Sequence, residues 1–248
     1  MPGEHSSKQY DTDLETIRSK VLTMGGLVES QFQDAIACFR TGNVPQAEQI
    51  IKADESVNNL EVSLDDACSH LIVKRQPTAN DLRTVMATIK VITDLERIGD
   101  EATKIARRAI QLCEEGEAPR GYVEVRHIGD QVRNMVRDAL DAFARFDAEL
   151  ALSVAQYDKI IDREYKTALR ELATYMMEDP RSISRVLSII WVLRSLERIG
   201  DHARNISELV IYLVRGTDVR HMGLKRMKAE VEGSADLIPN VPGESDDK

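Results

Sequence analysis

Apolar residues recur along this chain at spacings of three and four. In one stretch Thr88, Val91, Leu95, Ile98, Ala102, Ile105, Ala109 and Leu112 follow that rhythm, and in another Ile189, Val192, Leu196, Ile199, Ala203, Ile206, Val210 and Leu213 repeat it. Such stripes are the seams of helical bundles. Turn signals divide the chain into six long helices. The first runs from near Ser7 to Arg40 and stops at Thr41-Gly42-Asn43, with Pro45 in the first turn of the second. The second runs from about Val44 to Lys74 and ends at Gln76-Pro77-Thr78. Thr78 or Asn80 can cap the third, which continues to about Glu114. The run Glu115-Gly116-Glu117-Ala118-Pro119 is the clearest boundary. The fourth helix covers about Val123–Phe146, the fifth is capped by Asp147 and ends near Met177, and Asp179-Pro180 opens a sixth that reaches about Arg215. Beyond it the periodicity fades.

The pattern also repeats on a larger scale. The hexapeptide Leu-Glu-Arg-Ile-Gly-Asp occurs at Leu95–Asp100 and again, 101 positions later, at Leu196–Asp201. Each copy follows a proline-marked turn, at Pro77 and Pro180, and about four apolar helical turns. Upstream, Asp54 and Asn58 are echoed by Asp158 and Asp162. The expected fold is therefore all-α: two tandem three-helix bundles, over residues 1–117 and 118–222, followed by a flexible tail over 223–248.

Composition agrees. Charged residues make up 30% and aromatic residues 4%, which suits helical bundles better than β-sandwiches. The net charge of −9 argues against a general nucleic-acid surface while leaving room for local basic patches. Cys38, Cys68 and Cys113 form no zinc or disulfide spacing, which points to a reduced, cytoplasmic setting. Met1–Asp13 lacks an apolar signal core, and the best apolar run, Val186–Leu193, is too short to span a bilayer.

The candidate chemistry lies in the duplicated motif. Glu96 with Asp100, and Glu197 with Asp201, stand four residues apart on a helix, so each pair projects from one face with about 5–6 Å between Cβ atoms. Paired carboxylates suit a hard cation with oxygen ligands. Each pair continues an apolar stripe that turns acidic: Val85, Ile89 and Ile92 lead to Glu96, and Val186, Ile190 and Leu193 lead to Glu197. A single acidic pair is commonplace on solvated helices, and Arg97 or Arg198 could simply neutralise it. Like charges at this spacing cost a few tenths of a kcal/mol, and their identical recurrence favours a role. Gly99 and Gly200 each cost about 1 kcal/mol against Ala in mid-helix. Close approach by a second helix or by a ligand accounts for them. Asp54, Asp158 and Asp162 join the candidate metal set, although acids are favoured near helix N-termini in any case. Glu124–His127 is an ExxH, one component of di-iron carboxylate bundles, but no second copy occurs. A metal-dependent carboxylate enzyme is therefore the alternative to a binding protein.

Together Lys74-Arg75-Gln76-Pro77-Thr78, Asp81-Leu82-Arg83, the doubled Leu-Glu-Arg-Ile-Gly-Asp and Asp218-Val219-Arg220-His221 resemble the PhoU family of phosphate-uptake regulators, over about Ser7 to His221. The resemblance implies paired three-helix bundles without enzymatic activity. It implies divalent or ferric metal ions at Glu96, Asp100, Glu197 and Asp201. It also implies an adaptor between the ATPase subunit of the phosphate ABC transporter and the phosphate-sensing histidine kinase, which restrains the phosphate-starvation response. Family members are commonly homodimers. Asp94 precedes the first motif where Ser195 precedes the second, so the two sites are expected to differ.

Overall fold

The computed structural model describes residues 8–115 and 123–233. Six long helices, α1 (Lys8–Thr41), α2 (Val44–Arg75), α3 (Ala79–Glu114), α4 (Val123–Arg145), α5 (Ala148–Glu178) and α6 (Ile183–Arg215), are followed by a short α7 (Leu224–Glu232). Among the described residues no helix is long and apolar enough to cross a membrane. Helices α1, α2 and α3 pack on one another, and so do α4, α5 and α6. The two bundles share one core, because α3 lies along α6 and α1 touches α4.

Local chemistry sets the boundaries. Gly42 takes a positive φ of 69° at the α1–α2 turn, and the Asn43 side chain caps α2 by accepting from the Gln46 amide at 3.2 Å. Asp147 caps α5, accepting from the amides of Glu149 and Leu150. Asp179 holds a single 3-10 turn over Pro180–Ser182 that feeds α6. The α3 start departs from expectation. Thr78 is the cap residue but its side chain bonds no amide, and Asn80 instead accepts from Arg83 at 2.8 Å.

The heptad stripes meet where expected. Thr88 through Leu112 and Ile189 through Val210 are buried, with Leu213 half-buried at the end. Side-chain pairs across the seam run Glu115–Ser184, Arg108–Trp191, Glu101–Arg198 and Asp94–Asn205. Each step of seven residues forward on α3 is thus seven backward on α6, so the helices are antiparallel. The duplication makes the seam pseudo-twofold. Asp94 meets His202 at 2.8 Å, and the equivalent residues, Ser195 and Glu101, are also hydrogen-bonded.

The C-terminal expectation needs correction. The flexible tail expected from residue 223 begins instead with α7, which packs on α5 and α6. Met227 and Val231 are buried, Arg215 donates to the Val231 carbonyl, and Thr217 donates to Glu230. Two apolar residues one turn apart suffice to anchor a nine-residue helix, although they are too few to register as a heptad. Removing the chain after Arg226 would therefore strip core atoms. Residues 234–248, and the joint expected at Gly116–Pro119, lie outside the described residues.

Candidate functional site

Helices α3 and α6 are packed on three sides, so residues off the central seam are still enclosed. Glu96 and Asp100 face α2 rather than α6. Burial raises the pKa of Glu96, and the charges of Asp100, Glu61 and Asp54 raise it further, against the pull of Arg97. Glu61, on α2, is raised by burial and then by Asp65 and Asp100. One oxygen of Glu96, Oε2, is buried without a hydrogen-bond partner, although the exposed Arg97 approaches it to 3.4 Å. The Asp54 carboxylate accepts from Gln31 Nε2 at 3.0 Å, and the same amide reaches Thr103 Oγ1 at 3.2 Å.

The second repeat builds the equivalent site between α5 and α6. Asp201 is pushed up to about 7 by burial and by the charges of Glu197, Asp158 and Asp162. Glu197 is raised as well, chiefly by burial, with Asp162 and Asp158 adding to it. Asp158 is fully enclosed and differs from Asp54 in its partner: Arg204 donates to it at 3.1 Å and to the buried Glu208 at 2.9 Å. The glycines stand at these crossings. A Cβ on Gly99 would meet Gln31, Val57 and Asp54 at 3.2–3.5 Å, whereas one on Gly200 would meet Asp158, Ile161 and Met135 at 3.8–4.0 Å.

The structure thus brings Glu96, Asp100 and Asp54 together in one cluster, and Glu197, Asp201, Asp158 and Asp162 in another. Desolvated, mutually repelling carboxylates, one with an oxygen that accepts no hydrogen bond, are of the oxygen-donor chemistry that hard cations take. Among the described residues no group of three or more His, Cys, Asp or Glu is arranged, as the side chains stand, to hold a metal ion. The fit is therefore one of donor chemistry and charge, not of a closed coordination shell. Sequence reasoning does not include Glu61, whose place the second repeat gives to Tyr165. It missed Gln31, Thr103 and Arg204, which approach from other helices or sit outside the motif.

The ExxH lies elsewhere. His127 is exposed on α4, where it meets Gln131 at 2.7 Å and Glu164 at 3.5 Å. It contributes nothing to either acidic cluster. His202 is half-buried against Asp94 and serves the seam between the bundles.

A doubled three-helix bundle, closed around an antiparallel α3–α6 seam with an acidic cluster beside it in each half, defines a duplicated all-α class. The PhoU domain matches this chain twice, at residues 21–109 and 125–210. A phosphate-specific transport system accessory protein PhoU homolog from Pseudomonas putida is 71% identical over 98% of this chain and 96% of its own. The PhoU accessory protein of Escherichia coli is 46% identical over 89% of this chain and 91% of its own. The crystal structure of PhoU from Pseudomonas aeruginosa superposes with a TM-score of 0.81 at 66% identity, covering 84% of this chain and all of that one. A PhoU phosphate transport regulatory protein from Streptococcus pneumoniae superposes at 0.78 with 30% identity, covering 85% and 99%. The chain belongs to the PhoU family. These relatives are accessory and regulatory proteins, and with them the chain stands outside the enzymes.

Proposed function

We propose that this chain regulates phosphate uptake and phosphate homeostasis by binding partners. It links the ATPase subunit of the phosphate ABC transporter to the phosphate-sensing histidine kinase in the cytoplasm, works as a homodimer, and holds the phosphate-starvation response off when phosphate is plentiful. The observation that carries this reading is near full-length identity of 71% to a protein named as an accessory of the phosphate-specific transport system.

The geometry supports an adaptor with two similar faces. Leu82 and Met86 on α3 are exposed, and so are Ile183 and Leu187, their counterparts 101 positions on. Because α3 and α6 are antiparallel, these apolar pairs lie toward opposite ends of the seam. Small apolar patches of this kind suit transient contacts of modest area. Divalent or ferric ions at Glu96/Asp100 and at Glu197/Asp201, with Asp54, Asp158 and Asp162 nearby, would neutralise the two acidic clusters and tie α2 to α3 and α5 to α6.

Deleting the chain in its host should switch on phosphate-starvation genes in rich phosphate. Pull-down at high phosphate should recover the transporter ATPase and the kinase. Persistent repression after deletion, with neither partner recovered, would defeat the adaptor reading.

A further inference from the structure

We infer that the cleft at one end of the α3–α6 seam binds a small, multiply charged phosphoryl anion. The cleft has a volume of about 460 Å³ and is lined by Lys104, Arg107, Arg108, Gln111, Trp191, Arg194, Ser195 and Arg198, with Glu101 at its floor. Five cationic side chains surround a single carboxylate there. In a chain of net charge −9 that concentration of positive charge is far from the average. A volume of this size is ordinary for a small-molecule site.

The floor is built. Glu101 is 4% exposed, and its Oε1 accepts from Lys104 at 2.8 Å and from Arg198, across the seam, at 3.1 Å. Those hydrogen bonds, with a further one from Ser195, hold its pKa below the usual glutamate range despite burial. One buried carboxylate therefore positions two cations from two bundles, while the charge of Arg194 is also felt by Glu197. Arg108 leans over the Trp191 ring at 5.5 Å and bonds Gln111 at 2.6 Å. Arg107 and Arg194 are exposed, and neither is within ion-pairing distance of a carboxylate among the described residues. Trp191 is 52% exposed, so its ring is open to a ligand on the side that Arg108 does not cover.

The pseudo-symmetry sharpens the assignment. At the equivalent end of the seam Glu208 replaces Arg107, Leu209 replaces Arg108, and Thr93 replaces Arg194. The acidic clusters are doubled, but this basic cleft is single. General solubility does not account for a charge cluster built at one end only. Guanidinium forks match phosphoryl oxygens in bidentate fashion. An excess of several positive charges favours a condensed phosphate, free or attached to a nucleoside, over a single orthophosphate. Trp191 would stack on a base if one were present.

The test needs only the purified full chain and does not depend on the regulatory reading, since it involves neither kinase nor transporter. Trp191 is the sole tryptophan, so its fluorescence reports on this cleft. Titration with inorganic tripolyphosphate at constant ionic strength should give a saturable change, with calorimetry on the same samples confirming the affinity. Orthophosphate should bind at least about tenfold more weakly, by loss of charge-assisted contacts. Arg107→Gln with Arg194→Gln should weaken tripolyphosphate by a similar factor while the chain still unfolds in one cooperative transition. Tighter binding of ATP than of tripolyphosphate would identify a nucleotide as the source, and equal or weaker binding would identify the free condensed phosphate. Absence of saturable binding by both methods, equal affinity in the double variant, or the same signal from EDTA, which would signify metal stripping, would each overturn the assignment.

Discussion

The two acidic crossings are copies that have diverged in what holds the outer carboxylate. In the first repeat Asp54 accepts from a neutral amide, Gln31, which also reaches Thr103. In the second, Met135 stands where Gln31 does, and Asp158 is clamped by Arg204, which also binds Glu208. The Glu/Asp pair and the glycine beside it are unchanged. Duplication thus kept the Glu/Asp pair and changed its surroundings: Asn58 stands where Asp162 does, and the second copy gained an enclosed cation, Arg204. The cation of the first cluster, Arg97, is 57% exposed and stands 3.4 Å from Glu96 and 3.8 Å from Asp100, so an incoming ion displaces it readily, whereas Arg204 is held by two buried carboxylates. The two sites are therefore expected to differ in affinity for a metal ion, the first binding more tightly.

The largest effect should come from removing that internal cation. Arg204→Met leaves Asp158 and Glu208 enclosed without a partner, at a cost of about 3 kcal/mol, the lower end for a broken buried pair because Arg204 is partly exposed. Gln31→Leu loses one amide bond to the Asp54 carboxylate and one to Thr103, without stranding a buried pair, and should cost about 1.5 kcal/mol. Urea unfolding of the two variants compares them. Equal losses would mean that Arg204 does not neutralise its repeat as the geometry implies.

Metal content separates the repeats next. Purified without an affinity tag and measured by elemental analysis, Glu96→Ala with Asp100→Ala should lose more bound metal than Glu197→Ala with Asp201→Ala. The fourfold variant should be empty. Unchanged content in the fourfold variant would remove these residues from any metal site.

Much of this organisation was legible in the sequence, because the heptads that bury Leu95, Ile98 and Ala102 also set the helix lengths and the seam. The doubled hexapeptide located both acidic clusters, since an i, i+4 pair is a local property of one helix. What was not legible came from other helices. Whether Asp54 meets an amide and Asp158 a guanidinium depends on which residues of α1 and α6 pack against them, and no spacing within α2 or α5 encodes that. The basic cleft was hidden for the same reason: Lys104, Arg107 and Arg108 lie on α3, while Arg194 and Arg198 lie on α6. Helix α7 escaped because its few buried side chains, Met227, Ala229 and Val231, leave no periodic trace.

Acidity should distinguish the repeats more gently. In metal-free protein Asp201 titrates near 7, well above its ordinary value of 3.8. Its protonated form is the one the fold favours, so that contribution is complete below about 4 and is lost as pH rises through 7. With a chelator present, the melting temperature should therefore fall between pH 5 and pH 8, and Asp201→Asn should flatten the decline. Metal binding should run the opposite way, weakening as the medium is acidified through the same range, because the ion must displace that proton. If the metal-free wild type and Asp201→Asn show the same pH dependence, the cluster around Asp201 does not carry the burden assigned to it.

The smallest effect is expected at the glycines, and it should differ in sign. Replacing a mid-helix glycine by alanine gains about 1 kcal/mol of helix propensity where the methyl group has room. At Gly200 the nearest side-chain atoms would lie 3.8–4.0 Å from the new Cβ, an ordinary contact distance. Gly200→Ala should accordingly stabilise the protein by up to about 1 kcal/mol. At Gly99 the methyl would press on the Gln31 oxygen at 3.2 Å, and Val57 and Asp54 stand at 3.4 and 3.5 Å. Gln31 cannot yield without loosening its bonds to Asp54 and Thr103, so the gain should be cancelled or reversed. Gly99→Ala combined with Gln31→Ala should recover part of it, because the obstructing amide is gone. If the two alanine variants shift the unfolding midpoint equally, the tighter packing of the first crossing is not the reason for its glycine, and room for a ligand at both crossings becomes the better explanation.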